Sequence, residues 1–264
     1  VSYVDDLRET MLDQLDEAEE CVRQAMRVAP DLIRVAVEVF INTRLGTVAP
    51  AIPDVLIDWL VEQLTTMVLA VLEQCLEYID VLREMTQFLG SPDELRSAAA
   101  ALDGIGDAVA HLKISADDLE GYMTWDDLPA SRAYEVAISE QPDNLARVES
   151  AMTVFEDVLR THADDIENYY VQLTLLCGGA TAAIFGVVGA IFSLVAAVAA
   201  SGPAAIAGVW GAVISFLITL GGVATAAIST MQILITSTQS TENKINAVDF
   251  TVIRWEGPRF AQIQ

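Results

Sequence analysis

The chain has 264 residues, 53% of them apolar, a mean hydropathy of +0.42 and a formal net charge of −24. That length permits one large domain or two modest ones. The charge excludes nucleic acid as a partner, because phosphate recognition needs clustered Lys and Arg. It is also unevenly placed. Residues 1–167 hold 35 of the 38 acids and 11 of the 14 bases, while residues 168–264 balance Glu242, Asp249 and Glu256 against Lys244, Arg254 and Arg259. The front is therefore an acidic, solvated surface and the rear is neutral.

The first residues, Val-Ser-Tyr-Val-Asp-Asp-Leu-Arg, are acidic and lack an apolar h-region, so no cleavable signal peptide is expected. Val4, Leu7, Met11, Leu15, Ala18, Val22 and Ala25 recur at alternating threes and fours, which predicts a helix with one apolar stripe. Pro30 is expected to break it. Asp31 then caps a segment, Leu32 to Ile41, that is apolar nearly all round. Gly46, Pro50 and Pro53 make a connector. A long helix is expected from about Pro53 to Leu89, its stripe running Leu60, Leu64, Val68, Val71, Cys75, Ile79, Leu82, Met85 and Phe88.

Gly90 is a natural stop. Ser91, Pro92 and Glu94 then form a capping box that opens the next helix. Within that helix Gly104 and Gly106 either weaken it or admit a close neighbour. Residues 121–130, Gly-Tyr-Met-Thr-Trp-Asp-Asp-Leu-Pro-Ala, read as a turn. A further helix is expected from about Pro129, restarted or kinked at Pro142. The end, Glu242–Gln264, is a tail that is polar at first and then runs Phe-Thr-Val-Ile-Arg-Trp-Glu-Gly-Pro-Arg-Phe, a candidate short extended segment.

From Asn168 to Thr241, 74 residues, there is no charged side chain. Ser201-Gly202-Pro203 divides this stretch into two arms, Leu173–Ala200 and Ala204–Thr236. The first arm would make about 42 Å of helix, and either arm exceeds the roughly 20 residues that cross a hydrocarbon core. Gly186 and Gly189 in one arm, with Gly208 and Gly211 in the other, let two helices pack backbone to backbone, as helices do in lipid. An uncharged Ser201-Gly202-Pro203 tip crosses a bilayer without desolvating an ion. Trp210 near that tip suits an interface. The alternative is a soluble hairpin buried in a bundle, for which two arms without charge on any face are hard to hide.

Motifs of catalysis are missing: no Gly-x-Ser-x-Gly, His-Glu-x-x-His, P-loop or dinucleotide fingerprint occurs. His111 and His162 sit late in their helices, where a partial positive charge suits the dipole. The pairs Asp117-Asp118, Asp126-Asp127 and Asp164-Asp165 read as solvated acids rather than cation ligands. Cys21, Cys75 and Cys177 are scattered, without a Cys-x-x-Cys, and read as small buried apolar residues. No catalytic residue, metal, cofactor or small-molecule substrate is expected.

Residues 91–172 also resemble the WXG family of bacterial type VII (ESX) secretion substrates, in the actinobacterial style. Ser91 to Leu112 looks like that family's first helix, Trp125 falls in the turn, and Ala130, Ala133 and Tyr134 follow at the spacing of its small residues and aromatic. Leu145 to Tyr170 resembles the rest of its second helix. Asp127 stands at the glycine position, and the family's export signal, Tyr-x-x-x-Asp/Glu after the second helix, is not at its usual place; Tyr122 and Asp126 have that spacing within the turn. The resemblance implies a helical hairpin that pairs with a helical partner protein. An aromatic in such a turn also serves simply to close the apolar end of a hairpin.

The expected fold is all-α: an elongated helical bundle of long antiparallel helices plus a hydrophobic helical hairpin. The expected divisions are 1–90, amphipathic helices; 91–172, the WXG-like hairpin; 173–237, the membrane-capable hairpin; and 238–264, a short tail. The expected function is that of a non-enzymatic bacterial protein, secreted or membrane-associated. Its partners would be a lipid bilayer and a helical protein or a second copy of itself. Two readings stand side by side: a type VII secretion substrate or toxin carrier, and an α-helical pore-forming toxin or toxin component that stores its hairpin in a soluble form.

Overall fold

The computed structural model describes residues 3–45, 54–87, 90–112, 141–201 and 206–248. The fold is all-α. The described residues form α1 (Tyr3–Phe40), a π-helical turn (Ile41–Leu45), α2 (Asp54–Met85), α3 (Pro92–His111), α4 (Gln141–Ser201) and α5 (Ile206–Asn246). By contacts the chain makes two compact units that do not follow chain order. One joins Val1–Leu89 to Asn168–Ile233, and the other joins Gly90–Glu167 to Leu234–Gln264.

In the first unit α1 runs unbroken through Pro30, against the expectation of a stop there. A mid-helix proline costs about 3 kcal/mol through its missing N–H and its clash with the preceding turn. Burial on both sides outweighs this, because Val22, Ala25 and Ala29 before or beside it and Ile33, Ala36 and Val37 after it all lie in the core.

The core is read from heptads. Val4, Met11, Ala18 and Ala25 recur every seven residues on α1, and Val61, Val68, Cys75 and Leu82 do so on α2. On α4 the series is Leu173, Ala180, Val187 and Leu194, and on α5 it is Val213, Leu220 and Ala227. A seven-residue repeat keeps the apolar seam facing its partners in a left-handed bundle.

Cross-contacts fix the directions. Arg83 of α2 donates to Asp16 at 2.6 Å and to Glu19 at 2.7 Å, while Arg34 pairs with Asp58 at 3.5 Å, so α1 and α2 are antiparallel. Ile33 and Ala36 of α1 share an apolar gap with Leu64 and Val68 of α2 and with Leu194, Val195 and Val198 of α4. At the other end, Tyr169 and Tyr170 of α4 donate to the carbonyls of Met85 and Gln87, each at 3.0 Å. Gly186 faces Phe216 and Thr230 approaches Gln172, so α5 returns antiparallel to α4. The unit is an up-down-up-down four-helix bundle, with the end of α1, the start of α2, the end of α4 and the start of α5 at the same end.

α2 stops at Met85, four residues before the expected end. Its last carbonyls have partners outside the helix: Arg8 Nε donates to Thr86 O at 2.9 Å, alongside the two tyrosines. Gly90 then takes φ +117°, a conformation suited to glycine.

The second unit holds α3, the first part of α4 and the end of α5. Ser91 caps α3 as the sequence indicates, its side chain accepting from the Glu94 N–H, with Pro92 in the first turn. A Cβ at Gly106 would meet Met152 at an ordinary 3.7 Å, so no neighbour comes close enough to need glycine there, and Gly104 has nothing near it. Arg96 clamps α3 to α4 through Asp164 at 2.8 Å and through Glu167. α5 extends about ten residues past the expected arm end, held by Ser237 on Asp165 and by Lys244 near Asp157 at 3.6 Å. The turn at 121–130, the helix start near Pro129 and the tail beyond 248 lie outside the described residues.

Candidate functional site

The uncharged arms are parts of longer helices. The first is the distal half of α4, a single helix of 61 residues; the second opens α5, of 41 residues. Pro142 falls in the first turn of α4, where its missing N–H has no intrahelical partner to lose. Both helices contain stretches long and apolar enough to cross a membrane, with mean hydropathy 2.5 and 1.8.

Each arm has two faces. On α4 the inner face, Leu173, Cys177, Ala180, Ile184, Val187, Ile191, Leu194 and Val198, is buried in the four-helix core. The outer face presents Leu175, Phe185 and Phe192 among Gly179, Ala182, Gly189 and Ala196. α5 is less covered. Val213, Leu220, Ala224 and Ala227 are buried, whereas Ile214, Ile218 (71% exposed), Ile228 and Ile233 (69%) face outward. On α1 and α2 the outward positions are mostly charged; on the arms none is. A large branched aliphatic surface without a charge is what soluble helices avoid.

The outward polar residues of the arms are mainly hydroxyls, and most of these bond within their own helix, while the Thr181 hydroxyl on the inner side is buried without a partner among the described residues. Ser193 donates to Gly189 O at 2.9 Å, Thr219 to Ser215 O at 3.0 Å, Thr225 to Gly221 O at 2.8 Å and Ser229 to Thr225 O at 2.9 Å. Thr174 and Thr230 bond back one turn in the same way. A hydroxyl bonded to the i−4 carbonyl leaves no free donor, so this face can leave water at little polar cost.

Of the residues singled out in the sequence, Gly186 makes the close approach: a Cβ there would lie 2.6 Å from the Phe216 ring. Gly189 and Gly211 have nothing within 4 Å and lie on the outer faces. Ser201 ends α4, and Gly208 lies in the first turn of α5. Trp210 is half-buried, and its indole N–H is buried with no partner among the described residues. Gly202 and Pro203 lie outside the described residues, as do Trp125, Ala130, Ala133 and Tyr134.

Two residues that sequence reasoning passed over anchor the base of the hairpin. Tyr169 and Tyr170 are 2% and 0% exposed, sit edge to face at 5.7 Å, and hold the end of α2 with their hydroxyls. Two adjacent tyrosines opening an uncharged stretch are the signal that pointed to them. The acid pair Asp164-Asp165 is engaged by Arg96 and Ser237. Among the described residues no group of three His, Cys, Asp or Glu is placed to hold a metal ion.

No protein-family model, curated protein or solved structure matches this chain.

Proposed function

We infer that this chain is a membrane-inserting helical protein, of the kind found in α-helical pore-forming toxins and their components. It keeps its uncharged hairpin packed on α1 and α2 in water and releases the hairpin into a lipid bilayer. The observation that carries the reading is the outer face of the hairpin: charge-free, rich in Ile and Phe, with most of its hydroxyls already bonded within their helices. Such a face suits hydrocarbon, where each unsatisfied polar group costs several kcal/mol. The inner face exchanges one apolar neighbourhood for another on insertion. The activity proposed is binding and insertion, not catalysis.

Flotation of the detergent-free protein with phosphatidylcholine vesicles tests this. Recovery at the vesicle layer supports it, and a protein that stays at the bottom of the gradient with intact vesicles rules it out.

A second reading places the chain with type VII secretion, as a substrate or carrier that pairs with a helical partner. Its support is the sequence: Trp125, Ala130, Ala133 and Tyr134 after a capped helix that opens at Ser91. Under that reading Trp125→Ala reduces export or partner binding, and unchanged export removes the reason for it.

A further inference from the structure

The end of the bundle that carries the hairpin tip has a second apolar surface, which the core does not use. On α1, Val28, Leu32, Val35 and Val39 are spaced four, three and four apart, line one side of the helix, and are all exposed, Val35 by 56%. Farther from the tip the same side of α1 is polar, with Gln24, Glu17 and Thr10 exposed. The character of this side therefore switches at Val28, while the buried stripe of Ala29, Ile33, Ala36 and Val37 continues beside it.

α2 matches this at the same level. Val55 is 78% exposed and Trp59, one turn on, 56%. The Arg34–Asp58 pair joins the two helices, so Val35 and Trp59 each adjoin a charge that is already balanced. Between Glu38 and Asp54 the sequence holds a single charge, Arg44. The gap shared by Ile33, Ala36, Leu64 and Val68 with Leu194 and Val198 puts this region at the level of the last turns of the first arm. Thus each helix of the bundle bears exposed apolar side chains toward this end: Val35, Trp59, Phe192 and Ile214.

The geometry points to a second lipid-contacting region, a belt of two patches near the tip end of the bundle, Val28, Leu32, Val35 and Val39 on α1 and Val55 and Trp59 on α2, that seats this end in the interfacial zone of a bilayer. The inference rests on the reading of the hairpin as a membrane element and adds where the rest of the bundle comes to lie. Continuity with the hairpin's uncharged face at one end of one bundle favours lipid over a separate protein partner. Asp31, Arg34, Glu38 and Asp58 remain among the apolar side chains, so the surface stops at headgroup depth instead of entering hydrocarbon. An indole is suited to that depth. The lipid is zwitterionic, because an anionic leaflet repels a chain of net charge −24.

A chain carrying Trp125→Phe, Trp210→Phe and Trp255→Phe leaves Trp59 as its only indole. With phosphatidylcholine vesicles, Trp59 emission should shift to the blue and be quenched more by lipid brominated near the carbonyl end of the acyl chain than near its methyl end. Val35→Asp with Val39→Asp, both exposed and so compatible with folding by circular dichroism, should lower the bound fraction about tenfold. Flotation of the chain with unchanged Trp59 emission overturns this inference and leaves the hairpin reading standing. Failure of the wild type to float removes both. Self-association in lipid-free buffer that Val35→Asp abolishes assigns the surface to a second copy, and overturns the inference as well.

Discussion

Gly186 of α4 lies so close under Phe216 of α5 that an added Cβ would meet ring carbons at 2.6 and 2.9 Å. The Phe216 ring of one arm thus packs over Gly186 of the other, where the missing side chain leaves it room. Gly186→Ala should lower unfolding stability in urea by about 1–2 kcal/mol, since overpacking exceeds the gain in helix propensity. Gly189→Ala, three residues away with nothing within 4 Å, should raise it by up to ~1 kcal/mol. Equal effects of the two changes would show that the Gly186 contact is not a constraint.

Tyr169→Phe and Tyr170→Phe each remove a hydroxyl that satisfies a carbonyl at the end of α2. Each should cost about 1 kcal/mol. The double variant should also speed amide exchange in the last turn of α2 more than in α1. Uniform acceleration would mean that the tyrosines act on global stability alone.

Glu19 links α1 to α2 through Arg83, and the hydrogen bonds from Arg83 and then Arg23 hold its carboxyl below the ordinary range. A depressed carboxyl contributes stability that is fully present above the unfolded value of about 4.3 and is lost as pH falls through the folded value. Wild type should therefore exceed Glu19→Gln in stability at pH 7 by about 1 kcal/mol, with the two curves converging as pH falls below the unfolded carboxylate range. Parallel curves across that window would contradict the assignment.

The cysteines should react in a fixed order. Cys21 is half-buried, whereas Cys75 and Cys177 are fully buried, and burial pushes the Cys75 thiol up to about 12. At pH 8 a thiol reagent should modify Cys21 first and the other two only on unfolding. Rapid labelling of Cys75 would mean that α2 is not packed as described.

Much of this architecture is legible in the sequence because its signals are local. The threes and fours from Val4 to Ala25, the Ser91-Pro92-Glu94 cap and the uncharged run from Asn168 to Thr241 each fix an element by its own residues. Continuity through Pro30 is not legible, because it depends on α2 and α4 burying the turns on either side. The same holds for the arms: charge marks where Asn168 and Thr241 begin and end an uncharged stretch, but hydrogen bonding carries α4 and α5 straight through those limits. The four-helix unit joins residues far apart in sequence, so no window of residues reveals it. The outer-face hydroxyls look merely polar until their bonds to the preceding turn are seen.

The most direct test of hairpin insertion follows one outward residue into lipid. Ile218 is 71% exposed on the outer face of α5. Ile218→Cys in a Cys21→Ser background, labelled with an environment-sensitive dye, should report water in the free protein. On addition of phosphatidylcholine vesicles its emission should shift to that of hydrocarbon, with quenching by lipids brominated deep in the acyl chain. A dye that still reports water on protein recovered with the vesicles would contradict insertion and leave the hairpin as part of a soluble bundle.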